Sequence, residues 1–246
     1  MVKIFRDFYE KYWIWRTKEY DYRKKGVIPD RIKAALDFIQ SNSKARGDIK
    51  ILDVGCGEGI LGEQVKRLNK KIKIYGVDIS QIALENAKKY YDDVYQIDVD
   101  DEPILHLLKD QKFDYVVSLE VMEHIIYPER LLEEIYILLK NDGKLITSIP
   151  NFAFFKNRIT VLRGNFPYEQ HIFHSAEHIH YFTFYSFKKL LNEKGFNILS
   201  ISGGFALFFP LTLLPLDIQK RIFYKFPNLF GKQIVFCCEK KLIGDK

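Results

Sequence analysis

The sequence is poor in cysteine: three in 246 residues, with Cys56 inside a glycine-rich turn and the neighbours Cys237 and Cys238 together in an apolar run. Adjacent residues of a strand point to opposite faces, so neither a disulfide framework nor a paired-cysteine metal knuckle is built from them. A reducing, cytoplasmic setting is the expectation. Long apolar runs are also missing. The longest, 205–216, is about a dozen residues broken by Pro210 and Pro215, where a membrane-spanning helix needs ~20. The first ten residues carry charge and no apolar stretch of the secretory kind, so no signal peptide is expected. No low-complexity tract and no internal repeat appears. A basic arm is lacking too, because the +6 net charge comes from 38 Lys and Arg against 32 Asp and Glu spread along the chain. Nucleic acid is therefore not an expected partner.

What is present suits one large α/β unit: hydrophobic residues make up 47 % of the chain, enough for a sizeable core. Residues 1–30 are aromatic and charged, with Phe8, Tyr9, Tyr12, Trp13, Trp15, Tyr20 and Tyr22 at helical spacing, and read as a lid across the mouth of the main unit. The main unit is 31–246, with irregular insertions at about 151–182 and 203–231. Ile32, Ala35, Leu36 and Ile39 mark one face of a helix, followed by a polar loop over 41–48. Short apolar runs at 49–54, 74–77, 94–97, 113–118 and 144–149 then alternate with helical patterns at 61–68, 81–90 and 128–139. Such alternation predicts a parallel sheet with right-handed crossovers. The last helix is predicted over 185–194, stopped by Gly195, before two strands at 196–202 and 233–240. Those two lack a long helical crossover between them, so the last strand is expected to run antiparallel.

Ligands of open α/β sheets bind beyond the carboxyl ends of the strands. Four of those ends are acidic here: Asp53, Asp78, Asp98 and Glu120. Asp53 leads into Gly55, Gly57 and Gly59, and a glycine turn admits close backbone approach to a ligand. The pattern does not complete the Gly-x-Gly-x-x-Gly of dinucleotide folds, since position 60 is Ile60. A carboxylate two residues before the first glycine suits a cationic ligand better than a pyrophosphate. Asp78, about twenty residues beyond the glycines, stands where a carboxylate accepts from ribose hydroxyls.

The run from Ile51 to Gly59, with Asp78, Asp98 and Leu119-Glu120, resembles the motif series of class I S-adenosylmethionine-dependent methyltransferases. The resemblance implies a Rossmann-like, doubly wound sheet of seven strands, mostly parallel with an antiparallel last strand and helices on both faces. It implies S-adenosylmethionine as cofactor. Gly55 and Gly57 would border its methionine portion, Asp78 would hold the ribose and Asp98 meet the adenine, while Leu119 and Glu120 back the methionine, with Asp53, Ile79 and Val99 as further cofactor contacts. For Gly59, close strand–helix packing competes with ligand contact, and for Asp98 a plain turn acid competes with adenine recognition.

Transfer from a sulfonium needs alignment and, for a hydroxyl acceptor, removal of a proton. Glu120, Glu123 and His124 are spaced to share a face if the segment after the fourth strand is helical, which makes His124 the candidate base with Glu123 beside it. A cap or supporting hydrogen bond is the alternative for His124. Glu-Val-Met-Glu-His also resembles ubiquinone-biosynthesis O-methyltransferases and small-RNA 2′-O-methyltransferases. In the latter likeness Glu120, Glu123 and His124, with His178 or His180 as the later ligand, would hold Mg²⁺, Mn²⁺, Fe²⁺ or Zn²⁺. Asn151, Arg158, His178 and His180 are the candidates for the acceptor site. Their surroundings resemble methyltransferases of sugar and polysaccharide pathways, so a small molecule, sugar-linked or lipid-linked, is the expected substrate. A looser likeness to MetW-type proteins keeps a non-catalytic cofactor-binding partner as an alternative, and an RNA 2′-O-methyltransferase is another. The stretch 205–216 lines a pocket, touches a lipid carrier, or caps the core.

Overall fold

The computed structural model describes residues 2–19, 26–42, 48–166 and 178–241. Tyr20 and Tyr22 of the expected lid, most of the 41–48 loop and the 167–177 part of the first insertion lie outside the described residues.

Two helices, α1 (Val2–Glu19) and α2 (Asp30–Asn42), precede the alternation. There follow β1 (Lys50–Val54), α3 (Ile60–Leu68), β2 (Lys73–Asp78), α4 (Gln81–Ala87), β3 (Asp93–Gln96), α5 (Leu105–Leu108), β4 (Phe113–Leu119), α6 (Pro128–Leu138) and β5 (Leu139–Pro150). After α7 (Phe155–Leu162) come α8 (Phe184–Glu193) and β6 (Phe196–Ser202), and after α9 (Leu216–Lys225) and α10 (Pro227–Phe230) comes β7 (Gln233–Lys240). The seven strands lie in the order β3-β2-β1-β4-β5-β7-β6, with β7 antiparallel to both neighbours. The chain winds outward from β1 in one direction and then restarts at β4 in the other. The crevice of such a sheet opens where that reversal occurs, beyond the carboxyl ends of β1 and β4.

Period-two burial divides the strands between two cores. Ile51, Ile74, Tyr115, Val117, Ile146 and Cys237 face α2, α3 and α4, while Leu52, Val116, Leu145, Phe236 and Cys238 face α6 and α8. Cys237 and Cys238 thus enter opposite cores, and all three thiols are free and buried. Among the described residues no helix is long and apolar enough to cross a membrane.

Two boundaries depart from the sequence reading. Asn141-Asp142-Gly143 does not separate α6 from β5: the strand starts at Leu139, and its pairing with β4 jumps from Phe113 opposite Leu139 to Tyr115 opposite Lys144. Gly143 permits this because a Cβ there would lie 2.9 Å from the Phe113 carbonyl oxygen. Lys140 closes the irregularity by donating to both oxygens of Asp114, at 2.9 and 2.8 Å. Helix α4 ends at Ala87 instead of continuing to Tyr90, and the chain turns so that Tyr91 enters the core. Tyr91 sits among Gly59, Gly62 and Gly76, where added Cβ atoms would approach its ring to 3.1, 2.2 and 3.0 Å.

Candidate functional site

A cavity of about 880 Å³ opens at the carboxyl ends of β1, β2, β3 and β4 and is roofed by α1. Its floor is the turn after β1. Gly55 and Gly57 take φ of 74° and 52°, and the Gly55 and Cys56 amides donate to the Val77 carbonyl at 2.8 and 3.0 Å. Asp78 clasps the turn from the other strand: its Oδ2 accepts from the Gly57 amide at 2.8 Å and its Oδ1 from the Ser80 amide at 3.0 Å. Asp53, beneath the turn, accepts from the Tyr91 hydroxyl at 2.5 Å. Burial pushes the Asp53 carboxyl up to about 7, the Tyr91 hydrogen bond opposing and the Asp78 charge assisting. Asp78 rises to about 6, again mainly through burial, with the Ser80 and Gly57 amides opposing and Glu10 assisting.

The neighbouring candidates divide. Ile79, Asp98, Val99, Leu119 and Glu120 all line the cavity. Gly59 is absent from the lining; its φ is 82°, and a Cβ would strike the Ala87 backbone at 2.8 Å, so its space is taken by packing on α4. Asp98 is a turn acid as well as a lining residue, since its Oδ1 accepts from the Asp100 amide at 3.1 Å. Asp100 in turn accepts from the Ile126 amide, and Arg130 donates to the Val99 carbonyl, which ties the loop after β3 to the loop after β4.

The segment after β4 is not a helix. Residues 121–127 form turns, and Glu120 takes a φ of 59°, an unusual conformation for a residue with a Cβ. The shared face of Glu120, Glu123 and His124 therefore does not form. Glu120 is directed toward Arg31, Lys232 and Gln233; burial raises its carboxyl and those groups oppose the rise. Glu123 is buried, and its carbonyl accepts from the Ile179 and His180 amides at 2.7 and 3.0 Å. That pairing brings His178 beside His124, with ring centroids 4.8 Å apart. One donor atom each from Glu123, His124 and His178 lie within 4.8 Å of one another, a grouping that leaves out Glu120.

Of the acceptor-site candidates, His178 and His180 line the cavity. Asn151 lines it too, but its amide is engaged with backbone. Nδ2 donates to the Asn228 and Gly231 carbonyls at 3.2 and 2.8 Å, and Oδ1 accepts from the Ala153 and Phe184 amides at 3.2 and 3.3 Å. Asn151 is thus the pin that fastens the second insertion to the end of β5. Arg158 lies outside the lining, its guanidinium donating to the Ala153 and Asn228 carbonyls at 2.6 and 3.3 Å.

Several lining residues had escaped sequence reasoning because distant segments bring them in. Arg31 opens α2 and Lys232 precedes β7. From α1, Trp13 lies over the glycine turn, where a Cβ at Gly57 would be 2.6 Å from its ring, and Tyr9 meets His124 edge-on at 6.3 Å. Glu10 accepts from the Ser80 hydroxyl and the Gln81 amide, both at 2.7 Å. Aromatic content flagged α1 as a whole; no local pattern marks Glu10.

The geometry agrees with the comparisons to known proteins. A family model described as "Methyltransferase domain" matches residues 22–201. The mitochondrial ubiquinone biosynthesis O-methyltransferase of Candida albicans is 32 % identical over 146 residues, covering 56 % of this chain and 45 % of that protein. The ubiquinone biosynthesis O-methyltransferase of Actinobacillus pleuropneumoniae serotype 5b is 33 % identical over 123 residues, 47 % of this chain and 52 % of that one. The chain spans about half the length of the curated relatives it matches. Among solved structures, magnesium protoporphyrin IX methyltransferase from Synechocystis PCC 6803 with bound SAH superposes with a TM-score of 0.63 at 15 % identity, covering 97 % of this chain and 99 % of that one, a likeness of fold. Motif series, sheet order and family match converge, and the chain belongs to the methyltransferase-domain family of Rossmann-like, S-adenosylmethionine-dependent methyltransferases.

Proposed function

We propose that this chain methylates a hydroxyl oxygen of a small molecule, using S-adenosylmethionine, in a reducing cytoplasmic compartment. The observation that carries the reading is a single cavity with two chemically distinct halves. One half is the glycine turn with Asp53, Asp78, Asp98 and Glu120; the other holds His124, His178 and His180. The first half fits the cofactor on its own chemistry: a backbone cradle without Cβ atoms and buried carboxylates that a cation stabilises in the charged form. Asp78 would accept from the ribose hydroxyls, Ile79 and Val99 would flank the adenine, and Asp98 would accept from its amine. Gly55, Gly57 and Leu119 would border the methionine, while Arg31 beside Glu120 would attract its carboxylate. Bound there, S-adenosylmethionine supplies an electrophilic methyl group for a single displacement. His124 takes the acceptor proton, and the Glu123 Oε1 stands 3.8 Å from its Nε2. The helix α1 serves as the lid. The oxygen acceptor is supported by the names of the curated relatives. The test is mass-spectrometric detection of product from catechols, sugar nucleotides and short RNAs; cofactor binding with no product from any of them leaves the non-catalytic reading instead.

A second reading adds a divalent ion. Glu123, His124 and His178 offer the mixed carboxylate–imidazole set that Mn²⁺, Fe²⁺ or Zn²⁺ accepts, and an ion there would lower the pKa of the acceptor hydroxyl. Calorimetric titration with Mn²⁺ is expected to give heat with the native protein and none with Glu123→Ala. Equal heats from both remove the ion.

The raised carboxyls predict a pH dependence of cofactor binding. Burial pushes the Asp53 carboxyl up to about 7 and the Asp78 carboxyl up to about 6. A cationic ligand binds their charged forms, so binding expels the protons. Affinity is expected to be level above about pH 8, to fall about tenfold per unit once below the Asp53 value, and more steeply below the Asp78 value. Calorimetry in buffers of different ionisation heat measures the proton release directly. A flat profile from pH 5.5 to about 8 would mean that neither carboxyl answers to the ligand.

A further inference from the structure

We infer that the second insertion and the outer face of α7 form one apolar, basic surface that docks on an anionic lipid bilayer. This goes beyond the proposed methyl transfer and does not depend on it. The insertion has its own small core: Leu207 and Phe230 pack on Phe154 and Phe155, with Leu211 and Ile222 against them. Asn151 and Arg158 fasten its far end through the Asn228 and Gly231 carbonyls. A segment so anchored has satisfied its inward apolar residues. Its outward ones are nonetheless large: Phe208 is 46 % exposed, Phe209 76 %, Leu213 74 % and Leu216 60 %. The edge ring of Phe208 touches Phe155 at 5.7 Å, which joins this tip to α7, and there Leu162 is 86 % exposed. Single exposed apolar side chains are ordinary, but four within nine residues beside another make a patch of the kind that meets a partner or a membrane.

Charge selects between those. The stretches 150–166 and 203–232 together hold seven Lys and Arg and a single acid, Asp217. Together they carry an excess of six and the remainder is balanced, so the charge is not spread evenly as the sequence reading expects but is gathered in two stretches that the fold brings together. Separate in sequence, the two stretches are joined by the fold. The helix α9 continues the patch with Leu216 and Ile218 exposed and with Lys220, Arg221 and Lys225 along it. Lys156 and Lys232 line the cavity and Arg158 is bound to carbonyls, which leaves Arg163, Lys220, Arg221 and Lys225 on the same segments as the exposed apolar side chains, the composition of an interfacial anchor on anionic headgroups. The opposite side of α7 supplies Lys156, Asn157 and Thr160 to the cavity, so one helix separates the docking face from the site.

Flotation of the full chain with vesicles decides the matter. Vesicles of phosphatidylcholine with about one third phosphatidylglycerol are expected to carry the protein up, and pure phosphatidylcholine to carry at least about tenfold less. Raising salt from about 0.1 to about 1 M, which cuts the screening length from ~10 to ~3 Å, should weaken the binding several-fold. The double variant Phe209→Glu, Leu213→Glu should lose at least about a hundredfold in partition, as two apolar insertions become charges, while its S-adenosylmethionine affinity, measured by calorimetry, reports an intact fold. The more conservative Lys220→Gln, Arg221→Gln pair should lose about tenfold on the anionic vesicles alone. Flotation equal on both vesicle types, or no flotation by the native protein, overturns the inference. So does a native dimer in light scattering that the Phe209→Glu, Leu213→Glu variant dissolves, since the occupant would then be a second copy. None of these results depends on whether the chain transfers a methyl group.

Discussion

Replacing Asp78 by Ala is expected to weaken S-adenosylmethionine binding by about a hundredfold to about ten-thousandfold, measured by calorimetry at pH 8. Two losses combine. Hydrogen bonds from the ribose hydroxyls to a carboxylate are each worth about 1.5–3 kcal/mol, and about 1.4 kcal/mol is a factor of ten. In addition, the Gly57 and Ser80 amides lose the acceptor that they now share, which frees the glycine turn from β2. Asp78→Asn keeps one oxygen acceptor and the volume, so it should fall between the native protein and the Ala variant. Stability is expected to respond less than affinity. Burial raises the Asp78 carboxyl to about 6, so its charge is a cost to the fold that the Ala variant no longer bears. Unchanged affinity in Asp78→Ala would sink the ribose assignment and with it the orientation of the cofactor in the cavity.

What the sequence disclosed is what short stretches of chain determine by themselves. The run 49–54 leading into Gly-Cys-Gly needs no distant partner to be read as strand and turn; Asp78 ends β2 in the same local way, and Asp98 stands two residues past the end of β3. The antiparallel β7 was legible from the missing crossover. The failures are places where tertiary contact outweighs local pattern. The spacing of Glu120, Glu123 and His124 suits a helix, yet the left-handed backbone at Glu120 sends it toward Arg31 and Lys232, from segments nearly ninety residues before and more than a hundred after. Asn151 carries the chemistry of a substrate contact, and the Asn228 and Gly231 carbonyls claim it. Gly59 and the early end of α4 have one cause, the burial of Tyr91 against Asp53, which no window of either stretch reveals.

The acceptor half of the cavity is built from the parts whose pattern is least regular. The His178 and His180 positions follow from two backbone hydrogen bonds to the Glu123 carbonyl, so the first insertion is registered on the loop after β4 by main chain and not by side-chain chemistry. Such a joint lets insertion side chains vary while the imidazole of His178 stays beside His124. Above them Tyr9 reaches His124 from α1. The base candidate is therefore touched by two other segments of chain, α1 and the first insertion, and its ring lies between them.

That enclosure makes His124 the side chain whose removal should cost the reaction most. His124→Ala is expected to lower kcat for a hydroxyl acceptor by about 10²–10⁴, the span typical of a lost general base, with the KM for S-adenosylmethionine within about twofold, because the proposed cofactor contacts lie on the glycine turn and at Asp78. A merely structural histidine also lowers rates when removed, so the decisive comparison uses two phenols. An ordinary phenol must lose its proton during transfer. A nitro-substituted phenol is already ionised at pH 8 and needs no base, so the His124→Ala deficit should shrink to within about tenfold. His124→Gln preserves polarity and much of the volume while lacking a basic nitrogen; it should follow the Ala variant on both acceptors. Equal deficits on the two phenols would make His124 a positioning residue for the loop after β4, and no deficit on either would move the search for the base to His178.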